Sequence, residues 1–130
     1  MAHWLLKTEP SDYSFADLQR DKRTPWTGIA NALALKNLRS MAKGDDLLIY
    51  HTGNEKSVVG TAKVARAAKG DLPVEITPGK PLPFPVPLAR IKADLRFADW
   101  GLVKIGRLSV VPTSPGQFAA ILQLGSGQEE

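Results

Sequence analysis

The polar side chains best suited to binding a small ligand follow directly after an apolar run near the start of the chain. Residues 4–6 are apolar, and they lead into a polar cluster made of Lys7, Thr8, Glu9 and Ser11. A strand that ends there would deliver hydrogen-bond donors and acceptors to one place. Trp26 stands beside a glycine-containing turn, and its ring could supply a flat wall for stacking. This combination predicts a pocket for a planar polar ligand such as a nucleobase.

Three further side chains are candidates for the same pocket, and each has an ordinary structural alternative. Asn31 carries an amide that can donate to and accept from the edge of a base, but asparagine is also a favoured helix cap. His51 stands at the predicted end of a strand, where it could contact a base or serve as a hydrogen-bonded structural residue. Trp100 could be a second aromatic wall or could seal one end of a barrel. The sequence leaves both interpretations open for each residue.

A basic stretch in the last third of the chain could contact a nucleic-acid backbone. It includes Arg96, Lys104 and Arg107, and phosphate contacts require only positive charge in a row. A solvated basic surface is the alternative. The net charge of +4 and the pI near 9.5 also favour polyanionic partners. Asp45 and Asp46 are consecutive acidic residues that could suggest a paired-carboxylate site. We interpret them as part of a solvated turn.

Most catalytic chemistries lack their usual residues in this chain. Cysteine is absent, which excludes disulfides, thiolate metal sites and thiol catalysis. With two histidines and no His-x-Glu pattern, we expect no metal and no cofactor. No glycine-rich phosphate loop and no Gly-x-Ser-x-Gly motif occurs. Non-enzymatic binding is therefore the leading hypothesis. The alternatives are a base-processing or small-molecule hydrolase that uses Glu9 or His51, and a protein-interaction module without a nucleotide ligand.

Length and composition predict a single domain. A chain of 130 residues corresponds to one domain, which we place at residues 1–125 with a polar tail at 126–130. No apolar run approaches the roughly 18 residues needed to span a membrane, and the first residues do not resemble a secretory signal. We expect a monomeric, cytoplasmic protein.

Patterns of apolar residues and turn signals predict a mixed α/β fold, best described as a small, partly open barrel with helices packed outside. Six prolines fall within residues 70–87, and we interpret that segment as an ordered loop or a sheet edge, because proline lacks the donor that a ladder needs. The predicted strands span residues 3–8, 47–52, 57–67, 86–91 and 107–111. The predicted helices run from Ser14 to about Arg20, from Asn31 to about Met41 before Gly44, and from Ser114 to Gly125, with a loop at 21–25.

Six sequence blocks resemble the EVE domain family in order and spacing, over roughly residues 3–124. The blocks are Trp4–Tyr13, Trp26–Asn31, Asn37–Asp45, Tyr50–Thr52, Val59–Val64 and Leu108–Pro112. The resemblance implies a PUA-like fold related to the YTH readers of methylated adenine. It also implies recognition of a modified base in DNA or RNA. The residues we expect to contact that base are Lys7, Thr8, Ser11, Trp26, Asn31 and His51.

The chain departs from the family pattern at positions that would carry positive charge. Ala30 stands where the family usually has arginine, and residues 34–36 read Ala-Leu-Lys where Ala-Arg-Asn is usual. The segment from Lys69 to Pro87 is also shorter than usual and rich in proline. These differences affect the expected nucleic-acid contacts more than the base pocket.

Overall fold

A curled six-stranded sheet with short helices around it forms the frame of the molecule. The computed structural model describes residues 1–127. The strands are β1 (His3–Thr8), β2 (Thr24–Pro25), β3 (Asp46–His51), β4 (Ser57–Arg66), β5 (Glu75–Pro87) and β6 (Val110–Thr113). The α-helices are α1 (Phe15–Asp21), α2 (Ala32–Arg39), α3 (Leu88–Lys92), α4 (Gly101–Lys104) and α5 (Pro115–Gly125), with a 3₁₀ turn at Leu95–Phe97.

The strands are hydrogen-bonded in the order β2-β5-β4-β3-β1-β6. β1 pairs in parallel with β3, and every other pair of neighbouring strands is antiparallel. Both Leu5 and Leu6 are fully buried, as expected for a strand covered on both faces. The parallel register places Lys7 opposite Tyr50 and Thr8 opposite His51. The carboxyl ends of two adjacent strands therefore lie side by side.

The helix starts predicted from the sequence are confirmed. They were predictable because each capping side chain binds a backbone group only three residues away. Ser14 and Asp17 form a reciprocal capping box at the start of α1, and Ser114 and Gln117 form another at the start of α5. The side chain of Asn31 accepts a hydrogen bond from the Ala34 N–H at 2.9 Å and caps α2. Each cap satisfies backbone donors that have no partner within the helix.

The proline-rich segment is a strand, so its interpretation as a loop was wrong and its interpretation as an edge was right. Five of its prolines lie within β5. β2 pairs with β5 only at Glu75 and Ile76, so the rest of β5 has a neighbour on one side only. Its register with β4 also shifts at three places. Along such an irregular edge a proline can face away from the neighbouring strand, where no donor is needed.

Several predicted boundaries were wrong. The segment predicted as strand 86–91 ends β5 and then forms α3, where the Leu88 N–H donates to the Lys56 carbonyl at 2.8 Å. Part of the loop at 21–25 is β2, the last strand is Val110–Thr113, and α2 ends at Arg39, before Gly44. Residues 128–130 of the predicted tail lie outside the described residues.

Trp100 lies in the core and seals it, as the second of its two interpretations proposed. The side chain is 1% exposed. Its indole N–H lies 3.2 Å from both the Pro112 carbonyl and the Thr113 hydroxyl, and its ring packs against Phe97 at 5.5 Å between centroids. The aromatic-cage interpretation of Trp100 was therefore wrong.

Asp45 is a buried structural carboxylate, which corrects its interpretation as part of a solvated turn. The residue is 3% exposed. Its carboxylate accepts hydrogen bonds from the Ala2 N–H at 3.2 Å, the Trp4 indole at 3.0 Å and the Ala42 N–H at 2.9 Å. It thereby ties the start of β1 to the turn before β3. A buried carboxylate requires such partners, because an unpaired one would be costly.

No helix within residues 1–127 is long and apolar enough to cross a bilayer.

Replacing the buried carboxylate should destabilise the fold. Asp45→Ala leaves three donors without their acceptor, and each unpaired buried group costs about 1–3 kcal/mol. We expect the free energy of unfolding in urea to fall by at least about 2 kcal/mol. Asp99→Ala is the control, because the Asp99 side chain is exposed and pairs only loosely with Lys104. It should change stability by less than about 0.5 kcal/mol, and equal losses in the two variants would contradict the role of Asp45.

Candidate functional site

A cleft of about 460 Å³ opens beside Trp26 at the edge where β1 ends. Its volume falls within the roughly 300–1,000 Å³ typical of small-molecule sites. We call it the Trp26 cleft. It is lined by Lys7, Thr8, Glu9, Asp12, Tyr13, Thr24, Pro25, Trp26, Thr27, Gly28 and Ile29.

Two aromatic rings form the apolar base of the Trp26 cleft. Trp26 is 8% exposed, and its backbone N–H donates to the Val74 carbonyl at 2.8 Å. The half-buried Tyr13 ring meets it edge to face, with centroids 6.2 Å apart. Trp26 is therefore part of the core and also forms the floor of the cleft, whereas the sequence was interpreted as favouring a pocket wall over a core or hinge aromatic.

Glu9 provides a fixed hydrogen-bond acceptor beside this floor. The Ser11 N–H and the Ser11 hydroxyl each lie 3.1 Å from the Glu9 carboxylate, and the Thr52 hydroxyl lies 3.4 Å from it. The backbone hydrogen bond from Ser11 is the main reason that the pKa of Glu9 lies below its ordinary value. Gly53 permits this position, since a Cβ there would meet the carboxylate at 2.6 Å and the residue has a φ of +74°. Glu9 is therefore ionised at neutral pH.

Lys7 and Thr8 reach the cleft but also hold its surroundings in place. The Lys7 ammonium donates to the Gly106 carbonyl at 2.9 Å and lies 5.7 Å from the centre of the Tyr50 ring. Burial lowers the pKa of Lys7. The Thr8 hydroxyl donates to the Tyr13 carbonyl at 2.6 Å, which fixes the turn between β1 and α1.

Three predicted base-binding residues are not among those that line the Trp26 cleft. Asn31 caps α2, and the Ser11 hydroxyl is bound to Glu9. His51 is 7% exposed; its Nε2 accepts from the Phe15 N–H at 3.0 Å and its Nδ1 lies 2.8 Å from the Glu55 carboxylate. A structural role is thus evident for each of the three. A base contact by any of them stays a prediction.

A second cleft, also of about 460 Å³, shares Lys7, Thr8 and Glu9 with the first. We call it the basic cleft. Its remaining lining residues are Tyr50, Thr52, Gly53, Lys56, Leu88, Lys92, Leu102, Val103, Gly106, Arg107 and Ser109.

Of the predicted backbone-contacting residues, only Arg107 lines the basic cleft. Arg96 pairs with Asp94 at 2.7 Å and borders a different cavity, near the start of α5. Lys104 lies 3.5 Å from Asp99. Phosphate contacts by Arg96 and Lys104 stay predictions.

Several lining residues were missed by sequence reasoning. They include Asp12, Tyr13, Thr24, Pro25 and Ile29. Tyr13 closes the first of the sequence blocks, so its position offered a signal. Thr24 and Pro25 offered none, because their place depends on the pairing of β2 with β5. Within residues 1–127, no group of three or more histidine or acidic side chains could hold a metal ion.

Comparison with known proteins identifies the family. The EVE domain family model matches residues 2–124. The chain belongs to the EVE domain family. A curated relative, thymocyte nuclear protein 1 of Gallus gallus, is 35% identical over 81 residues, which cover 53% of this chain and 34% of the relative. The chain thus aligns with about a third of that protein's length.

Solved structures support the assignment and confirm the mixed α/β, PUA-like fold. A protein of Rhodopseudomonas palustris whose structure was determined by NMR is 34% identical with a TM-score of 0.90, and the alignment covers 100% of this chain and 97% of that one. Human THYN1, solved in complex with DNA containing 5-methylcytosine, is 24% identical with a TM-score of 0.88, and the alignment covers 100% of both chains. At that identity the human structure shows the shared fold.

The hydrogen bonds of His51 in this EVE domain predict one tautomer. Because Nε2 accepts the Phe15 N–H, the proton of the neutral ring must be on Nδ1, where it donates to Glu55. Long-range proton–nitrogen NMR spectra at neutral pH should therefore show a protonated Nδ1 and an unprotonated Nε2. The reverse assignment would mean that His51 does not anchor α1 in this way.

Proposed function

We propose that this EVE domain is a non-enzymatic nucleic-acid-binding domain that holds a modified base in the Trp26 cleft. The observation that carries the proposal is the cleft itself. It combines an aromatic floor with an ionised acceptor, Glu9, at an accessible edge of the sheet. Aromatic stacking contributes about 1–3 kcal/mol per base, and polar groups at the edge give orientation.

The human THYN1 complex supports the choice of ligand class. That protein was solved bound to DNA containing 5-methylcytosine and has the same fold. For the present chain we propose the same class of ligand, a modified base within a polynucleotide.

The chemistry of the cleft favours a base that carries an exocyclic amine. Cytosine and adenine both present such a donor, and a carboxylate is its matching acceptor. Glu9 would take this role. The apolar lining residues Pro25 and Ile29 offer surface to a methyl group, and one methyl in an apolar slot gives about 1–3 kcal/mol of selectivity. A base drawn from a stack costs a few kcal/mol, which stacking and edge contacts offset.

The hydrolase hypothesis receives less support from the geometry. Both ring nitrogens of His51 are engaged, one with Phe15 and the other with Glu55. A general base needs a free nitrogen within reach of its substrate. An assay for turnover of a modified nucleoside separates the two hypotheses. Release of a product that depends on Glu9 would support an enzyme.

The function is tested by comparing oligonucleotides that differ in one modification. Fluorescence anisotropy with labelled strands containing 5-methylcytosine, N6-methyladenine or only unmodified bases measures the discrimination directly. We expect at least one modified strand to bind about tenfold tighter than its unmodified counterpart. Equal affinity for every strand would contradict base recognition, and no binding at all would favour a protein-interaction module.

Shrinking the floor of the cleft should weaken binding. Trp26→Phe keeps most of the core volume, whereas Trp26→Ala would cost about 3–5 kcal/mol of stability. We expect the Phe variant to bind the preferred strand about 3–10-fold more weakly, because part of the stacking surface is lost. Trp100→Phe is the matched control, since Trp100 is also buried but lines neither cleft. It should lose stability and keep its affinity; equal binding by the two variants would refute the role of Trp26.

Removing the charge of Glu9 should weaken binding although it makes the domain more basic. Glu9→Gln preserves the shape but replaces an acceptor-only group with an amide, so about tenfold of affinity for a cytosine-type or adenine-type base should be lost. Asp99→Asn removes the same charge from an exposed site outside the clefts and should leave affinity unchanged or slightly higher. If Glu9→Gln instead tightens binding as much as Asp99→Asn, then Glu9 does not contact the base.

A further inference from the structure

The Trp26 cleft and the basic cleft form one continuous surface. They share the wall built by Lys7, Thr8 and Glu9 at the end of β1. A ligand bound in the first cleft is therefore adjacent to the second. A second cavity beside a base site can bind a different part of the ligand only if its chemistry differs from that of the base site. The chemistry of these two clefts does differ.

The two clefts differ in charge. The Trp26 cleft contains one cation, Lys7, and two carboxylates, Glu9 and Asp12. The basic cleft contains the same lysine and Glu9, but its other charged residues are Lys56, Lys92 and Arg107. An aromatic cleft without an excess of cations suits an uncharged base, whereas an excess of cations suits an anion.

Three of these cations are available to a ligand. Lys56, Lys92 and Arg107 are exposed, and within residues 1–127 none has a carboxylate within ion-pair distance. Several cations elsewhere are paired with carboxylates, as Arg20 is with Asp17 and Lys63 with Asp46. Lys7 differs from the other three, because its ammonium is held by the Gly106 carbonyl beneath the Tyr50 ring.

The fold brings these three cations together from separate places in the chain. Lys56 precedes β4, Lys92 ends α3, and Arg107 follows α4. The Leu88 N–H donates to the Lys56 carbonyl at 2.8 Å, which ties the first of these segments to the second. Apolar side chains, including Leu88 and Val103, line the same cleft. A cleft that offers both cations and apolar surface suits phosphates joined by sugars.

We propose that the basic cleft holds the sugar-phosphate backbone next to the recognised nucleotide, with Lys56, Lys92 and Arg107 contacting its phosphates. The inference rests on the proposed function and narrows its ligand to a polynucleotide strand rather than a free nucleoside. It also adds Lys92, and Lys56 from outside the basic stretch, to the residues predicted from the sequence to contact the backbone.

The test compares a charge variant of the basic cleft with a matched variant elsewhere. The first carries Lys56→Gln, Lys92→Gln and Arg107→Gln. The control carries Lys43→Gln, Lys69→Gln and Lys80→Gln, which are exposed and line neither cleft. Both lose the same net charge. The probes are a single strand of about nine nucleotides with one central 5-methylcytosine, and the nucleoside 5-methyl-2′-deoxycytidine. Binding is measured at several salt concentrations, with thermal unfolding as a check on folding.

We expect the basic-cleft variant to bind the strand about tenfold or more weakly at low salt, whereas the control changes by less than about threefold. The slope of log affinity against log salt should fall by about 2, since three phosphate contacts contribute about 0.7 each on a single strand. Nucleoside binding should be the same in wild type and variant.

Failure of the inference is distinguishable from failure of the proposed function. Equal losses in the two triple variants, while Trp26→Phe still weakens binding, would refute the phosphate site and leave base recognition standing. A basic-cleft variant that also loses nucleoside binding while remaining folded would refute the division of roles between the clefts. A wild-type protein that binds neither probe, nor a strand with another modification, would overturn both.

Discussion

The parallel pairing of β1 with β3 is the constraint on which the site depends. It places the carboxyl ends of the two strands side by side, with Lys7 opposite Tyr50 and Thr8 opposite His51. Because side chains alternate along a strand, the first pair faces one side of the sheet and the second pair faces the other. One side receives the segment around Gly106, and the other receives the turn that leads into α1. The two clefts meet at this junction.

The floor of the Trp26 cleft and the wall shared by the two clefts contain groups that also stabilise the fold. Trp26 belongs to the hydrophobic core, and Lys7 is bound to a backbone carbonyl. Such a site is held in place before the ligand arrives, which reduces the entropy lost on binding. Because Trp26 belongs both to the core and to the cleft floor, substitutions there should affect stability and affinity together. Comparison with a buried tryptophan outside both clefts, Trp100, separates the two effects.

The sequence predicted best those features that depend on neighbours in the chain. The caps of α1 and α5 lie within three residues of their partners, and the alternation along β4 is visible directly. The strand β5 was harder to predict, because its prolines are tolerated only through its edge position and irregular register. The burial of Asp45 was harder still to predict, since two of the three groups that donate hydrogen bonds to it come from the start of the chain, about forty residues away. Within the site, residue types indicated the right strand end, but which side chains face the cleft depended on pairings between distant strands.

Chemical-shift mapping tests most directly our proposal that a modified base occupies the Trp26 cleft. An isotope-labelled protein would be titrated with a strand carrying 5-methylcytosine and with the unmodified strand, following backbone amides and tryptophan indoles. We expect shifts specific to the modified strand to concentrate at Glu9, Tyr13 and residues 26–29, while the Trp100 indole signal stays unchanged. Modification-specific shifts confined to another surface, such as the cavity near the start of α5, would contradict it.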